Sequence, residues 1–166
     1  MSDTRWLSDD ELNVWRNFVA ATAMLQAHIE AQLQHDCGMP HAYYEVLVVL
    51  SEAPGRRLRM SELAEARFSS RSRLSHAVAR LEANDWVRRE ACPTDKRGAW
   101  AVLTPAGFAA LEAAAPSHVE TVRESLFDPL TPEQIEQLGE IMAAVRKNMS
   151  PACAAAMAEF PPTPPC

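Results

Sequence analysis

A mainly α-helical fold with a small β-hairpin is predicted by three features of the sequence. Apolar residues recur at three- and four-residue spacing through most of the chain. Two capping boxes, S-D-D-E at 8–11 and T-P-E-Q at 131–134, mark helix starts. Alternating runs at 86–92 and 99–104 flank a charged tip that carries Asp95, Lys96 and Arg97 and ends on Gly98.

The elements follow in order. Ser8 is the expected N-cap of a long first helix, with Glu11 completing the box and Leu7 and Leu12 placed as a hydrophobic staple. Leu12, Trp15, Phe18, Val19, Thr22, Leu25, Ile29 and Leu33 line one face of it, and Cys37-Gly38 end it. Pro40 opens a second helix, with Tyr44, Leu47, Val48 and Leu50 facing inward, and Pro54-Gly55 stop it. R-R-L-R-M is short enough for an edge strand. Residues 61–67 then form a two-turn helix. A further helix is capped by Ser69, buries Leu74, Ala77, Val78 and Leu81, and ends with Asn84 in the left-handed position. After the hairpin, Thr104-Pro105 start an alanine-rich helix running towards Phe127 with a kink at Pro116. Thr131 caps the last helix, whose apolar face is Ile135, Leu138, Ile141, Met142 and Val145. The tail ends in F-P-P-T-P-P-C and is expected to be extended.

The 166 residues are 48% hydrophobic and 23% charged, a globular composition with material for a core. Cys37, Cys92, Cys153 and Cys166 form no C-x-x-C pair, so neither a disulfide scaffold nor a structural zinc site is indicated. The five glycines form no phosphate loop, and neither a nucleophile elbow nor H-E-x-x-H occurs. The chain is expected to be no enzyme and to need no cofactor. An acidic N-terminus and the lack of a long apolar run predict a cytoplasmic protein with no membrane partner.

The net charge of −6 conceals a polarity. Residues 56–98 hold 11 Lys/Arg against 6 Asp/Glu, while the remainder holds 5 against 16. A basic middle between acidic ends is the layout of a nucleic-acid module in an acidic scaffold. Two short helices, a tight turn and a hairpin make a winged helix-turn-helix. The terminal helices carry more apolar surface than this small unit covers, so they are read as flanking dimerisation helices. The expected organisation is 8–53 for the N-terminal helices, 56–104 for the DNA-binding unit, 105–149 for the C-terminal dimerisation helices and 150–166 for the tail.

The expected contacts to double-stranded DNA are Ser61, Ser69, Ser70, Arg71, Ser72, Arg73, Ser75, His76 and Arg80 on the helices, and Asp95, Lys96, Arg97 and Gly98 at the wing. Short hydroxyl and imidazole side chains meet base edges, while arginines read guanine or neutralise phosphate. Arg97 is placed to enter a minor groove, with Asp95 fixing its guanidinium and Gly98 giving the turn a positive φ.

The stretches MSELAEA, SSRSRLSHAVARLEANDWVRRE and DKRGAWAVLTPAG resemble the MarR family (multiple antibiotic resistance regulators) from about residue 11 to about residue 147. The matching elements are the recognition helix, the D-x-R-G wing tip and the L-T-x-x-G entry into the fifth helix. The resemblance implies an obligate homodimer, usually a repressor, on a pseudo-palindromic operator, with Arg97 as the wing arginine. It also implies release by a small-molecule effector, often an aromatic carboxylate or phenol, for which the candidates are Trp15, His28, His41, Tyr43 and Tyr44. The alternative is a zinc or thiol-redox sensor near Cys37 and His41, with His35, Asp36 and His118 as further ligand types.

Overall fold

The first helix begins where its capping box places it. Ser8 Oγ accepts from the Glu11 amide at 3.2 Å, and Glu11 Oε2 accepts from the Ser8 amide at 2.8 Å. The computed structural model describes residues 4–66, 71–92 and 95–149, with the backbone alone at 71, 92, 95–97 and 149. The expected Ser69 cap and the tail at 150–166 lie outside the described residues.

Helix α1 (Asp9–Cys37) ends on Gly38, whose φ of 60° is the left-handed conformation that a glycine adopts without steric penalty. Ile29 and Leu33 near its C-terminus are buried, whereas Val14, Trp15, Phe18, Val19 and Met24 are exposed. Leu7 of the expected staple is exposed as well. Helix α2 (His41–Glu52) has Pro40 as its N-cap and buries Tyr44, Val46, Leu47 and Leu50, while Val48 is half-buried. A 3₁₀ turn at Pro54–Arg56 follows, with positive φ at both Gly55 and Arg56. The Arg56 guanidinium lies 3.6 Å from the centre of the Phe108 ring, which ties this turn to a later helix.

Strand β1 (Arg57–Arg59), helix α3 (Met60–Ala66), helix α4 (Arg71–Ala83) and strands β2 (Val87–Cys92) and β3 (Asp95–Leu103) complete the central unit. The sheet is antiparallel in the order β1-β3-β2, so the short R-L-R run is the edge strand its length predicts. Leu63, Leu74, Val78, Leu81, Val87, Ala101 and Leu103 join Leu33, Leu47 and Leu50 in a single core. Each fully buried leucine contributes about 1.5–3 kcal/mol from burial.

The hairpin departs from expectation. Pairing runs to Cys92↔Asp95, so Asp95, Lys96, Arg97 and Gly98 belong to β3 instead of forming the tip. The register jumps from Ala91↔Ala99 to Cys92↔Asp95, and Lys96, Arg97 and Gly98 are the additional residues accommodated there. Such a bulge bends its strand and increases the local twist. Alternation of apolar residues locates strands but carries no signal for an irregular pairing.

The end of α4 also differs by one residue, with Asp85 and not Asn84 holding the positive φ of 57°. The Asp85 amide bonds Glu82 O at 2.9 Å and the Trp86 amide bonds Leu81 O at 2.9 Å, which is a Schellman closure. Helix α5 (Pro105–Val122) includes Pro116 and is followed by a π-helical turn at Arg123–Phe127. Helix α6 (Pro132–Met149) starts at the second capping box, where the Thr131 amide donates to Gln134 Oε1 at 2.9 Å and Thr131 Oγ1 accepts in return at 3.3 Å.

The start of α5 is built on the end of α4. Thr104 Oγ1 accepts from the Gly107 amide at 2.9 Å and donates to Asp85 O at 2.6 Å. Gly107 lies so close to Trp86 that an added Cβ would overlap the Trp86 carbonyl oxygen and sit 2.8 Å from its carbonyl carbon. Both obstacles are backbone atoms and cannot rotate away. Gly107→Ala is therefore expected to destabilise the fold by about 1–3 kcal/mol, the range for overpacking. Denaturant unfolding of the two proteins measures this, and equal midpoints would refute the close approach.

Candidate nucleic-acid interface

Helix α4 divides cleanly into two faces. Leu74, Val78 and Leu81 point into the core, whereas Ser72, Arg73, Ser75, His76 and Arg80 are exposed. Ser61 is exposed on α3. The backbone of Arg71 opens α4, and those of Asp95, Lys96, Arg97 and Gly98 lie on β3. Ser69 and Ser70, together with the expected Asp95–Arg97 side-chain contact, fall outside what is described. The structure thus presents one polar helical surface with the hairpin strands β2 and β3 extending beside it.

Several basic residues of the central unit have partners within the chain. Arg57 and Arg59 lie on the same face of β1, with guanidinium carbons 5.0 Å and 5.4 Å from the centre of the Trp100 ring. Arg59 pairs directly with Trp100 across the ladder. Arg88 Nε bonds Glu90 at 2.8 Å. Arg89 reaches back to α4, where its Nη2 donates to Ser75 O at 2.8 Å and its Nη1 lies 3.4 Å from Glu82 Oε2. Sequence reasoning counted these cations but did not locate their partners. The i, i+2 spacing of Arg57 and Arg59 was a usable signal, whereas Arg89 and Glu82 come together through the turn between α4 and β2.

An exposed polar helix packed beside a three-stranded antiparallel wing defines the winged helix-turn-helix class. The chain belongs to the MarR family, whose model matches residues 38–98. It is 55% identical to Sco3205 of Streptomyces coelicolor, a MarR family transcriptional regulator crystallised in complex with DNA. That likeness covers 89% of this chain and 93% of Sco3205, with a TM-score of 0.85. AbsC of the same organism is 41% identical over 88% of this chain and 98% of its own, with a TM-score of 0.82. The transcriptional regulator HosA of Escherichia coli O111:H- is 33% identical over 128 residues, which is 76% of this chain and 90% of HosA.

A second polar cluster forms where α1, α2 and α5 meet. The His118 ring lies 4.3 Å from the Tyr44 ring and 6.0 Å from that of His41, centre to centre. The Gln32 amide donates to Ser117 Oγ at 3.0 Å and to Asp36 Oδ2 at 2.9 Å. Gln32 Oε1 and His118 Nδ1 are buried without a hydrogen-bond partner. A groove of about 290 Å³ lined by His118, Val119, Val122, Arg123 and Phe127 opens beside them. Of the expected effector residues, His41 and Tyr44 belong to this cluster. Tyr43 is half-buried on α2, Trp15 stacks on Phe18 at the exposed end of α1, and His28 is exposed. Gln32, Ser117 and His118 are the members that sequence did not select as effector contacts.

The sensor alternative finds no ligand set, because no three His, Cys, Asp or Glu side chains among the described residues converge closely enough to hold a metal ion. Burial and then the Asp36 charge push the Cys37 thiol up, the opposite of what an activated thiolate needs. Asp36 itself is held low, first by the Gln32 amide and then by His35. Burial and then Cys37 raise the Tyr44 phenol.

Burial, with His41 adding to it, lowers His118 from its ordinary value of 6.5. The folded chain therefore binds this proton less readily than the unfolded chain. The stability that the neutral ring contributes is complete above about pH 6.5 and is lost as pH falls through the lowered folded value. Thermal unfolding midpoints are expected to drop below about pH 6.5, and His118→Gln is expected to make that drop shallower. Superimposable pH profiles for the two proteins would remove His118 from this role.

Proposed function

We propose that the protein is a homodimeric, sequence-specific DNA-binding transcriptional regulator, a ligand-responsive repressor of a pseudo-palindromic operator. The observation that carries this reading is the exposed polar face of α4 beside the wing, in a chain 55% identical to a relative crystallised on DNA. In this reading α4 enters the major groove, and Ser72, Arg73, His76 and Arg80 meet bases and phosphates. The wing residues Lys96 and Arg97 reach the adjacent minor groove. Residues 56–104 form the DNA-binding unit.

Dimerisation is supported by apolar surface that the single chain leaves uncovered. Val14, Trp15, Phe18 and Val19 on α1 are exposed, as are Ile135, Ile141 and Val145 on α6. Burial of these faces between two copies joins residues 8–53 and 105–149 into a shared scaffold and sets two α4 helices one operator half-site apart. The unpartnered Gln32 and His118 atoms, next to Tyr44 and an open groove, support an aromatic effector with a polar group as the releasing ligand.

Duplexes selected from random DNA test the reading. Affinity for the selected operator is expected to fall steeply with salt as counterions are released from phosphates. Arg97→Ala is expected to lose about 1–3 kcal/mol of binding, and wild-type affinity in that variant would refute a wing contact. Sedimentation of Ile141→Asp at falling concentration checks the dimer. At least a tenfold weaker association, equivalent to about 1.4 kcal/mol, is the expected outcome.

A further inference from the structure

We infer that Arg89 is a positioning residue for DNA binding, one that locks the wing to the recognition helix and makes no phosphate contact of its own. The inference rests on the DNA-binding reading above. Arg89 grips α4 at two levels. Its backbone amide donates to Glu82 Oε1 at 3.0 Å, and its guanidinium donates to the Ser75 carbonyl at 2.8 Å and approaches Ser75 Oγ at 3.4 Å. The second carboxylate oxygen of Glu82 lies 3.4 Å from Nη1. Ser75 and Glu82 are seven residues apart, so they share one side of α4 two turns from each other.

A single bond would leave α4 free to roll or tilt against β2. Two anchors, on residues whose backbones are about 10 Å apart along the helix axis, oppose both motions. The planar guanidinium suits this task because its donors leave in fixed directions and serve a carbonyl and a carboxylate together. About two thirds of both side chains is covered, at 33% exposure for Arg89 and 31% for Glu82, so water screens the pair only in part. The positive charge of Arg89 is met by Glu82, and its Nη2 is directed to α4. Ser75, expected as a base contact, has its carbonyl and hydroxyl engaged by this grip. A wing and a recognition helix that enter neighbouring grooves need a fixed mutual angle, and this contact holds their two elements together.

The test measures affinity of the full-length protein for its selected duplex across a salt series. The proteins compared are wild type, Arg89→Ala, Arg89→Lys and Glu82→Ala, with thermal unfolding as the folding control. Positioning predicts at least tenfold weaker binding for Arg89→Ala, with the logarithmic salt slope unchanged. It predicts similar loss for Arg89→Lys, which keeps the charge but not the fork. Glu82→Ala is expected to weaken binding although it removes a negative charge. A phosphate contact instead predicts a slope reduced by about 0.9 in Arg89→Ala, near-normal binding by Arg89→Lys, and unchanged or tighter binding by Glu82→Ala. That second pattern would overturn the inference. Failure of the wild-type protein to select any duplex would overturn the DNA-binding reading itself, so the two failures are distinguishable. Should Arg89→Ala not fold, the opposite signs expected for Glu82→Ala still decide.

Discussion

The close approach of α5 to Trp86 is the constraint on which the rest of the molecule depends. Within a few ångströms, α4 ends, β2 begins, β3 finishes and α5 starts. Thr104 bridges them, donating its hydroxyl to Asp85 O, accepting from the Gly107 amide, and donating its own amide to Trp86 O at 3.0 Å. Thr104 is buried, so these bonds form away from competing water. The missing side chain at Gly107 lets α5 seat directly on the backbone of the α4–β2 turn. The orientation of α5 is thereby set by the base of the hairpin.

This seat joins regions that would otherwise be separate. Gly107 and His118 lie on the same helix, about 16 Å apart along its axis. Any displacement of α5 therefore reaches both the polar cluster around Tyr44 and His118 and the root of the wing. Arg56, stacked on Phe108 one residue beyond Gly107, ties the α2–β1 turn to the same place. Arg89 extends the linkage outward, from β2 to the middle of α4. The elements that face DNA in the proposed function are thus connected to the scaffold by specific backbone contacts in addition to apolar packing.

Charge is organised by these contacts as well. The basic central segment contains Arg56, Arg57, Arg59, Arg88 and Arg89, each set against an aromatic ring or a carboxylate of the chain. A guanidinium stacked on a ring keeps its charge and contributes to the long-range field. One paired with a carboxylate contributes far less, because the two fields largely cancel.

The order of helices, the edge strand, both capping boxes and the polar face of α4 were legible in the sequence. Each depends on interactions spanning a few residues: Ser8 with Glu11, Thr131 with Gln134, and the recurrence of Leu74, Val78 and Leu81 one helical turn apart. The D-K-R-G segment was visible too, but its irregular pairing with β2 was not, since pairing is a property of two strands. The left-handed residue fell at Asp85, because the Schellman bonds choose the position through the packing of Trp86. The partners Gln32 with Ser117, Tyr44 with His118, and Arg89 with Ser75 were set by how distant elements meet. Local periodicity by itself determined which residues of α2 and α4 face inward, and it marked apolar faces on α1 and α6 that are exposed in the single chain. Tertiary structure alone decided which outward residues touch each other, because contacts across elements depend on angles and registers that short-range spacing does not encode.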